Sequence, residues 1–510
     1  MSDSISNNKR IVKNTLYMYV RMVVVMVVSL FTTRIIFNAL GISDYGIYNV
    51  VGTIIVLFGF INSGLTTATR RYITAEIAKG DVASQQNVFN LSMCAHGIIG
   101  FIVLFLAETI GLYLVNYTLN IPINRIVAAN VVYQMTVLTA LWNVFQAPYQ
   151  AAITAFERMN IYAYLSILDV VLKLVVAYVV LIFGGDKLII YSILIFCSVF
   201  LSTLATRFYC IKEFHICRFK KPYNKALLKE MFGYMGWSLM GQFVVVLTSQ
   251  GVSMLVNVFF SVAANAAMGI SNQITGVVTQ FTSNFQVAFH PQITKLYVNN
   301  ERKSLNTLVL RSSRFSNFLV LLFMVPICCQ ISTFLELWLG DYPKYAVEFC
   351  ILTLVGLYID SMAAPLWMIL SADKNIKKYQ VVTSLIYAFN FIGAYIFLKL
   401  GFAPYYVMVV RIIVYSIAII ARLILVKEKV DTFPIGLWVK DVVLRSLCVA
   451  IIPFVYFYLI NDILIQKKIF ELIFKAGSVF LITGIAIFFL GLKNEEKQMM
   501  FKIIKNKFCR

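Results

Sequence analysis

The stretch RIIFNALGISDYGIYNVVG, residues 34–52, separates two long apolar runs and shows in miniature how the chain is built. Arg34 lies five residues before the first run ends at residue 39, and the second run begins near residue 46. Each run has about 20 residues or more, which is enough for a helix to cross about 30 Å of hydrocarbon. The pattern predicts two membrane-spanning helices joined by a tight turn.

The same pattern extends over the whole chain. Apolar residues make up 60% of the 510 residues and charged residues 13%, and the mean hydropathy is +0.82. Soluble domains have about 45–50% apolar and about 25% charged residues. The sequence predicts an all-α polytopic membrane protein with fourteen transmembrane helices, near 15–39, 46–67, 88–116, 126–150, 161–183, 188–208, 231–257, 263–289, 311–335, 346–370, 380–399, 403–425, 441–460 and 470–492.

The positive charge is distributed unevenly between the loops. The net charge is +21, and 32 of the 44 Lys and Arg residues fall on one side when the loops are assigned alternately from an inside N-terminus. Cytoplasmic loops carry such an excess, so the pattern predicts cytoplasmic N- and C-termini. The charge therefore indicates a membrane orientation, and nucleic acid is not an expected partner.

The basic loop YCIKEFHICRFKKPYNKALLKE, residues 209–230, divides the spans into six and eight. The two parts begin with a similar span, turn and span pattern, which predicts two six-helix bundles related by a pseudo-two-fold axis. The expected divisions are an N-terminal bundle (1–210), a cytoplasmic linker (211–230), a C-terminal bundle (231–426), two added spans (441–492) and a basic cytoplasmic tail (493–510).

Charges inside the spans require a physical reason, because each costs about 2.5–3.5 kcal/mol at the centre of a membrane helix. The candidate substrate-binding residues are Arg21, Arg34, Asp169, Lys173, Asp360 and Arg411. Anchoring at headgroups is the alternative for the two arginines of the first span, whose side chains are long enough to snorkel. Asp169 and Lys173 are four residues apart on one helix face, so mutual neutralisation is the simpler interpretation of that pair. Asp360 and Arg411 lie deeper and are expected to face a cavity.

The sequence lacks the motifs that several classes of enzyme and metal-binding protein require. The sequence has no glycine-rich Walker loop, no HExxH or GxSxG pattern and no CxxC pair among its nine cysteines. We therefore expect no ATPase, no metal site and no cofactor. An enzyme with paired carboxylates in a membrane cavity is the alternative, but the even helical pattern and the repeat favour a transporter over an enzyme. The short outside loops also argue against a polysaccharide polymerase or ligase.

One motif resembles a known family. The positions Arg34, Leu40, Gly41, Asp44, Tyr45, Gly46, Ile47 and Tyr48, followed by GLTTATRRYITAEIAKGD, resemble the polysaccharide flippases of the MATE-like MOP superfamily. In this motif, Gly41–Tyr48 is expected to form the outside turn, with Gly41 and Gly46 permitting the reversal and Tyr45 and Tyr48 at interfacial depth.

The resemblance implies a function and a location. It implies that undecaprenyl-diphosphate-linked oligosaccharides, the repeat units of O-antigen or capsule, move from the cytoplasmic to the periplasmic leaflet of the inner membrane by alternating access. Arg21, Arg34 and Arg411 are then candidates for the diphosphate and Asp360 for coupling or sugar contact. Polysaccharide polymerase or assembly proteins become expected partners, and coupling to H⁺ or Na⁺ is left open. A lipid II flippase and a MATE-type exporter of small molecules are the alternatives.

Overall fold

The computed structural model describes residues 2–156, 158–218, 244–287, 289–373, 377–462 and 467–498, and these ranges are helical with no strand. By packing, the chain divides into two compact units, Met1–Ala266 and Ala267–Arg510. Most of the predicted linker, 211–230, and the start of the predicted C-terminal bundle lie outside the described residues. The domain boundaries and the pseudo-two-fold relation accordingly stay predictions.

The first unit is built around one long helix. Its helices are α1 (Ser2–Lys79), α2 (Val82–Leu106), α3 (Ile126–Ala155), α4 (Met159–Ile182), α5 (Lys187–Glu213) and α6 (Val252–Phe259), with π turns at Ala107–Gly111, Leu114–Thr118 and Leu247–Gly251 and 3₁₀ turns at Ile123–Arg125 and His215–Cys217. Helix α1 packs against α2, α3 and α4. It buries Ile47, Val51 and Ile54 at helical spacing against α3.

The second unit is centred on α11. Its helices are α8 (His290–Val298), α9 (Arg302–Cys329), α10 (Ile331–Leu339), α11 (Ala346–Ala372), α12 (Lys377–Lys399), α13 (Tyr406–Lys429), α14 (Ile435–Trp438), α15 (Arg445–Ile460) and α16 (Lys468–Ala486), with π turns at Val439–Leu444 and Ile487–Gly491. Helix α7 (Val262–Val287) crosses the boundary between the units. On α9 the Asn317 amide donates to the Tyr358 carbonyl at 3.0 Å and the Ser361 hydroxyl at 3.2 Å of α11. Such amide bonds between helices replace water contacts that a membrane interior cannot supply.

Eleven helices of the described residues are long and apolar enough to cross a membrane, and the predicted count of fourteen stays a prediction. Three predicted spans account for the difference. The first two lie in α1, where Val20–Val56 counts as one candidate. Only Val244–Phe259 of the seventh is described, and the amide-rich helix α7 falls below the hydropathy of the others.

The glycine motif breaks α1 at a single residue. Gly41 has φ 75° and ψ 176°, and the chain is helical on both sides of it. This backbone region is essentially restricted to glycine. The prediction that Gly46 also permits the reversal is wrong. Gly46 is helical, and a Cβ there would lie 2.0 Å from the carbonyl oxygen of Val262, so close helix packing requires the glycine.

The acidic residue of the motif ties the helix ends of the first unit together. The Arg125 guanidinium donates to both carboxylate oxygens of Asp44 and to both of Asp186. Asp186 also accepts from the backbone N–H groups of Leu188 and Ile189 and caps α5. The bonds from Arg125 hold the pKa of the Asp186 carboxyl below its usual value. Tyr45 is buried edge-to-face on Phe37, with ring centroids 5.3 Å apart, and its interfacial depth stays a prediction.

We expect Gly41→Ala to destabilise the protein by about 1–3 kcal/mol, the cost of a side chain in a backbone region restricted to glycine. Gly52→Ala is the matched control in the same helix, because a Cβ there meets nothing within 4 Å. Replacing a helical glycine by alanine is neutral or stabilising by up to about 1 kcal/mol. The measurement is the midpoint of thermal unfolding of the purified variants. Equal midpoints would contradict the role of Gly41.

Candidate functional site

A cavity of about 240 Å³ lies inside the first unit between α1, α3, α4 and α5. Its polar lining includes Arg21, Asn143, Gln150, Asp169, Lys173 and Thr203. Three of the six predicted site residues therefore meet in one cavity. The volume is below the range of about 300–1,000 Å³ typical of pockets for drug-sized ligands, so the cavity has room for one polar group of a large substrate.

Arg21 enters this cavity without a carboxylate partner. Its guanidinium carbon lies 4.7 Å from the centre of the Tyr162 ring. Its Nε is buried and has no hydrogen-bond acceptor, and within the described ranges the side chain forms no ion pair. A cation–π contact compensates only part of the charge. Arg21 can therefore still donate to an anion.

Asp169 and Lys173 form the ion pair that their spacing predicts. The Lys173 ammonium donates to Asp169 at 2.8 Å, and both side chains are partly exposed. The pair contributes polar atoms to the cavity but no net charge. The positive charge at this wall therefore comes from Arg21.

Arg207 is a further cation near the cavity that the sequence analysis missed. Its Nε donates to the Tyr149 hydroxyl at 3.2 Å, and the guanidinium lies 5.1 Å from the centre of that ring. The indole of Trp142, also near Arg207, donates to Thr203 in the cavity wall. The predicted span 188–208 ends one residue after Arg207, so its charge is counted with the following basic loop, whereas α5 continues to Glu213.

Arg34 lies apart from this cavity. Its side chain is exposed on α1, and no carboxylate of the described residues pairs with it. The choice between headgroup anchor and substrate contact thus stays open.

In the second unit, Asp360 meets an arginine near the end of the predicted span 403–425 that was not among the candidate site residues. Arg422 on α13 lies 3.6 Å from Asp360 on α11, and the Asp360 side chain is 45% exposed while that of Arg422 is 8% exposed. Arg422 also donates to the Tyr387 hydroxyl on α12 at 2.6 Å. In this pair the cation, Arg422, is buried, and the carboxylate of Asp360 lies at the surface of the unit.

Arg411 is linked to this pair through tyrosines. Its Nε donates to the Tyr415 hydroxyl at 2.9 Å, and the Tyr415 and Tyr387 rings meet edge-to-face at 5.8 Å. Arg411, Tyr415, Tyr387, Arg422 and Asp360 thus form a continuous set, which we call the arginine–tyrosine array. Arg411 itself forms no ion pair with any residue that the structure describes.

The arginines of the cavity in the first unit and of the arginine–tyrosine array favour an anionic ligand. Each guanidinium carries about five N–H donors in a planar fork that fits phosphate oxygens. Arg21 and Arg411 direct these donors to aromatic rings or a hydroxyl in place of a carboxylate. Across the described ranges, no three His, Cys, Asp or Glu residues are grouped as metal ligands would be.

Comparison with known proteins identifies the fold. No protein-family model and no curated protein matches the sequence. Among solved structures, the lipid II flippase MurJ in an inward closed conformation has a TM-score of 0.69 at 14% identity, covering 98% of this chain and 100% of its own. An inward-facing MATE multidrug transporter has a TM-score of 0.62 at 14% identity, covering 82% and 99%. A MOP-superfamily transporter from Pyrococcus furiosus, whose binding pocket is described as reversed in polarity, has a TM-score of 0.58 at 15% identity, covering 82% and 96%. The chain is a multi-pass membrane protein with the fold of the MOP-superfamily transporters and flippases.

Proposed function

We propose that this protein is a flippase that moves undecaprenyl-diphosphate-linked oligosaccharide repeat units across the inner membrane for O-antigen or capsule synthesis. The proposal rests on a property that three arginines have in common, Arg21, Arg34 and Arg411. All three lie on long apolar helices, and none has a carboxylate partner among the described residues. Because a charge in a membrane helix is costly, an uncompensated arginine there favours a ligand that brings the opposite charge.

A diphosphate is such a ligand. It offers several anionic oxygens, and an arginine fork can bind two of them at once. The glycan attached to it would be contacted by the hydroxyl and amide groups of the cavity wall, among them Asn143, Gln150 and Thr203. A MATE-type exporter of cationic molecules fits less well, because its substrate would meet these arginines with like charge.

Transport by alternating access, with both termini in the cytoplasm, completes the proposal. The orientation rests on the distribution of lysine and arginine among the loops. The proposal assigns no cofactor and leaves the coupling ion, H⁺ or Na⁺, unassigned. Its expected partners are the lipid bilayer and the polysaccharide polymerase or assembly proteins that receive the repeat unit.

Lipid II translocation is the second candidate. The observation in its favour is the likeness to MurJ, which extends over 98% of this chain. Both substrates share the undecaprenyl-diphosphate group, so the arginines fit either one. The attached glycan and the cellular pathway distinguish them.

Complementation in two strains separates the candidates. We expect the protein to restore surface glycan, and to relieve accumulation of the lipid-linked intermediate, in a strain that lacks its O-antigen or capsule flippase. We expect no rescue of a strain depleted of its lipid II flippase. Rescue of only the second strain would replace the proposal with its alternative, and rescue of neither at normal membrane levels would refute both.

A further inference from the structure

Six charged side chains meet where three helical segments of the second unit end. They are Arg311, Arg314, Asp441, Arg445, Lys493 and Glu496, and we call them the C-terminal charge cluster. They come from the first half of α9 (Arg311, Arg314), the π turn before α15 (Asp441), the first residue of α15 (Arg445) and the residues after α16 (Lys493, Glu496). The arginine–tyrosine array contains none of them.

Arg314 forms the centre of the cluster. Its side chain is 2% exposed, and it pairs with Glu496 and lies 3.9 Å from Asp441. Both carboxylates are nearly buried as well, with side-chain exposures of 7% and 8%. The acidic groups of the cluster are therefore enclosed.

The remaining cations surround these two acids. The Asp441 carboxylate also forms ion pairs with Lys493 and Arg445, with N–O distances of 2.5 Å and 3.5 Å. The Glu496 carboxylate also pairs with Arg311, at an N–O distance of 3.3 Å. Four cations and two carboxylates leave two positive charges in excess. Because a guanidinium has about five donors and an ammonium about three, N–H donors also outnumber the carboxylate lone pairs.

The outer cations of the cluster are accessible, and one donor of its central arginine has no acceptor. The side chains of Arg311, Arg445 and Lys493 are 35%, 28% and 43% exposed. The Nε of Arg314 is buried without an acceptor. The cluster therefore presents cations outward while its acids point inward.

The cluster also coincides with the predicted ends of three spans, 311–335, 441–460 and 470–492. Helices α9, α15 and α16 pack against one another, and the cluster joins the first half of α9 and the first residue of α15 to the residues after α16. We therefore expect it at one face of the membrane. Beside it are the exposed apolar side chains of Leu444, Leu447, Phe489 and Leu490. A lipid bound there would contact the cations with its headgroup and these side chains with its acyl chains.

We infer that the C-terminal charge cluster is a binding site for an anionic phospholipid. The phosphate oxygens accept from Arg311, Arg445 and Lys493, and the net negative charge of the lipid neutralises the excess of the cluster. Basic pockets between membrane helices bind anionic headgroups in this way. The apolar side chains beside the cluster favour a lipid over a free phosphate ion. The inference does not depend on the transported substrate.

The test measures lipid binding to the full-length protein in detergent micelles by native mass spectrometry. The probes are phosphatidylglycerol, phosphatidylcholine and inorganic phosphate. We expect phosphatidylglycerol to bind and the Arg311→Gln/Lys493→Gln variant to bind it at least about tenfold more weakly, since each basic side chain near the surface contributes about 1 kcal/mol. This variant keeps the buried pairs of Arg314 with both acids.

Two further variants serve as controls. Lys378→Gln/Lys429→Gln removes the same charge at the ends of α12 and α13, but those lysines pair with Glu428 and Asp373, each at 2.6 Å, so phosphatidylglycerol binding should be unchanged. Arg311→Lys/Lys493→Arg preserves the charge and should preserve binding. Equal affinity in the Gln cluster variant and the wild type, or equal loss in the control, would overturn the inference. Inorganic phosphate that displaces the lipid at millimolar concentration would show a free-anion site and overturn it too.

Discussion

The Arg411→Ala variant is expected to export surface glycan about tenfold to hundredfold more slowly than the wild type while it inserts into the membrane normally. A hydrogen bond to a charged group contributes about 1.5–3 kcal/mol, and the guanidinium would supply at least one to the diphosphate. Folding should be little affected, because Arg411 donates to the Tyr415 hydroxyl and its removal strands no carboxylate. The measurement is the rate of glycan export per inserted protein molecule.

Two variants distinguish substrate binding from packing at this position. Arg411→Lys keeps the charge but loses the planar fork, so export should fall between that of the wild type and that of Arg411→Ala. Asp360→Ala should also lose export, yet it strands the buried Arg422 and should lower stability as well. Wild-type export by Arg411→Ala would reduce this arginine to a packing residue.

The Arg314→Ala variant is expected to lose about 3–5 kcal/mol of stability. Removing one partner of a buried ion pair leaves uncompensated charge in a low-dielectric environment. Here the loss strands Glu496 and weakens the neutralisation of Asp441, and the side chain removed is 2% exposed. The measurement is the free energy of unfolding of the purified protein in micelles.

The exposed pair of Lys378 and Glu428 provides the comparison. Both side chains are largely in solvent, so Lys378→Ala should cost no more than about 1 kcal/mol. If Arg314→Ala and Lys378→Ala lower the free energy of unfolding equally, the C-terminal charge cluster contributes no more to folding than a surface pair.

The sequence predicted the apolar helices and the local contacts, and it missed the charges at helix ends. The pairing of Asp169 with Lys173 depends on a spacing of four residues, which can be predicted from helical geometry alone. Arg207, Arg314 and Arg422 lie within three residues of the ends of the predicted spans 188–208, 311–335 and 403–425, where a charge is readily counted with the adjoining basic loop. Only tertiary packing shows which side chains they contact.

The ion-pair partners of these arginines could not be predicted, because they are far away in the sequence. Arg422 meets Asp360 from a different helix, and Arg314 meets Glu496 from beyond the last span. No periodicity connects positions so far apart in the chain. The motif residue Asp44 is a similar case, since its partner Arg125 begins another helix, and its role is to join helix ends.

The most direct test of the transport proposal is the leaflet distribution of the lipid-linked repeat unit in cells where this protein is the only candidate flippase. A membrane-impermeant label for the glycan reports the fraction in the periplasmic leaflet. We predict labelling with the wild-type protein and at least about a tenfold decrease with Arg21→Ala/Arg411→Ala, each variant being present in the membrane at equal amounts. Equal labelling with the double variant, or without the protein, would contradict the proposal that these arginines carry a lipid diphosphate across the membrane.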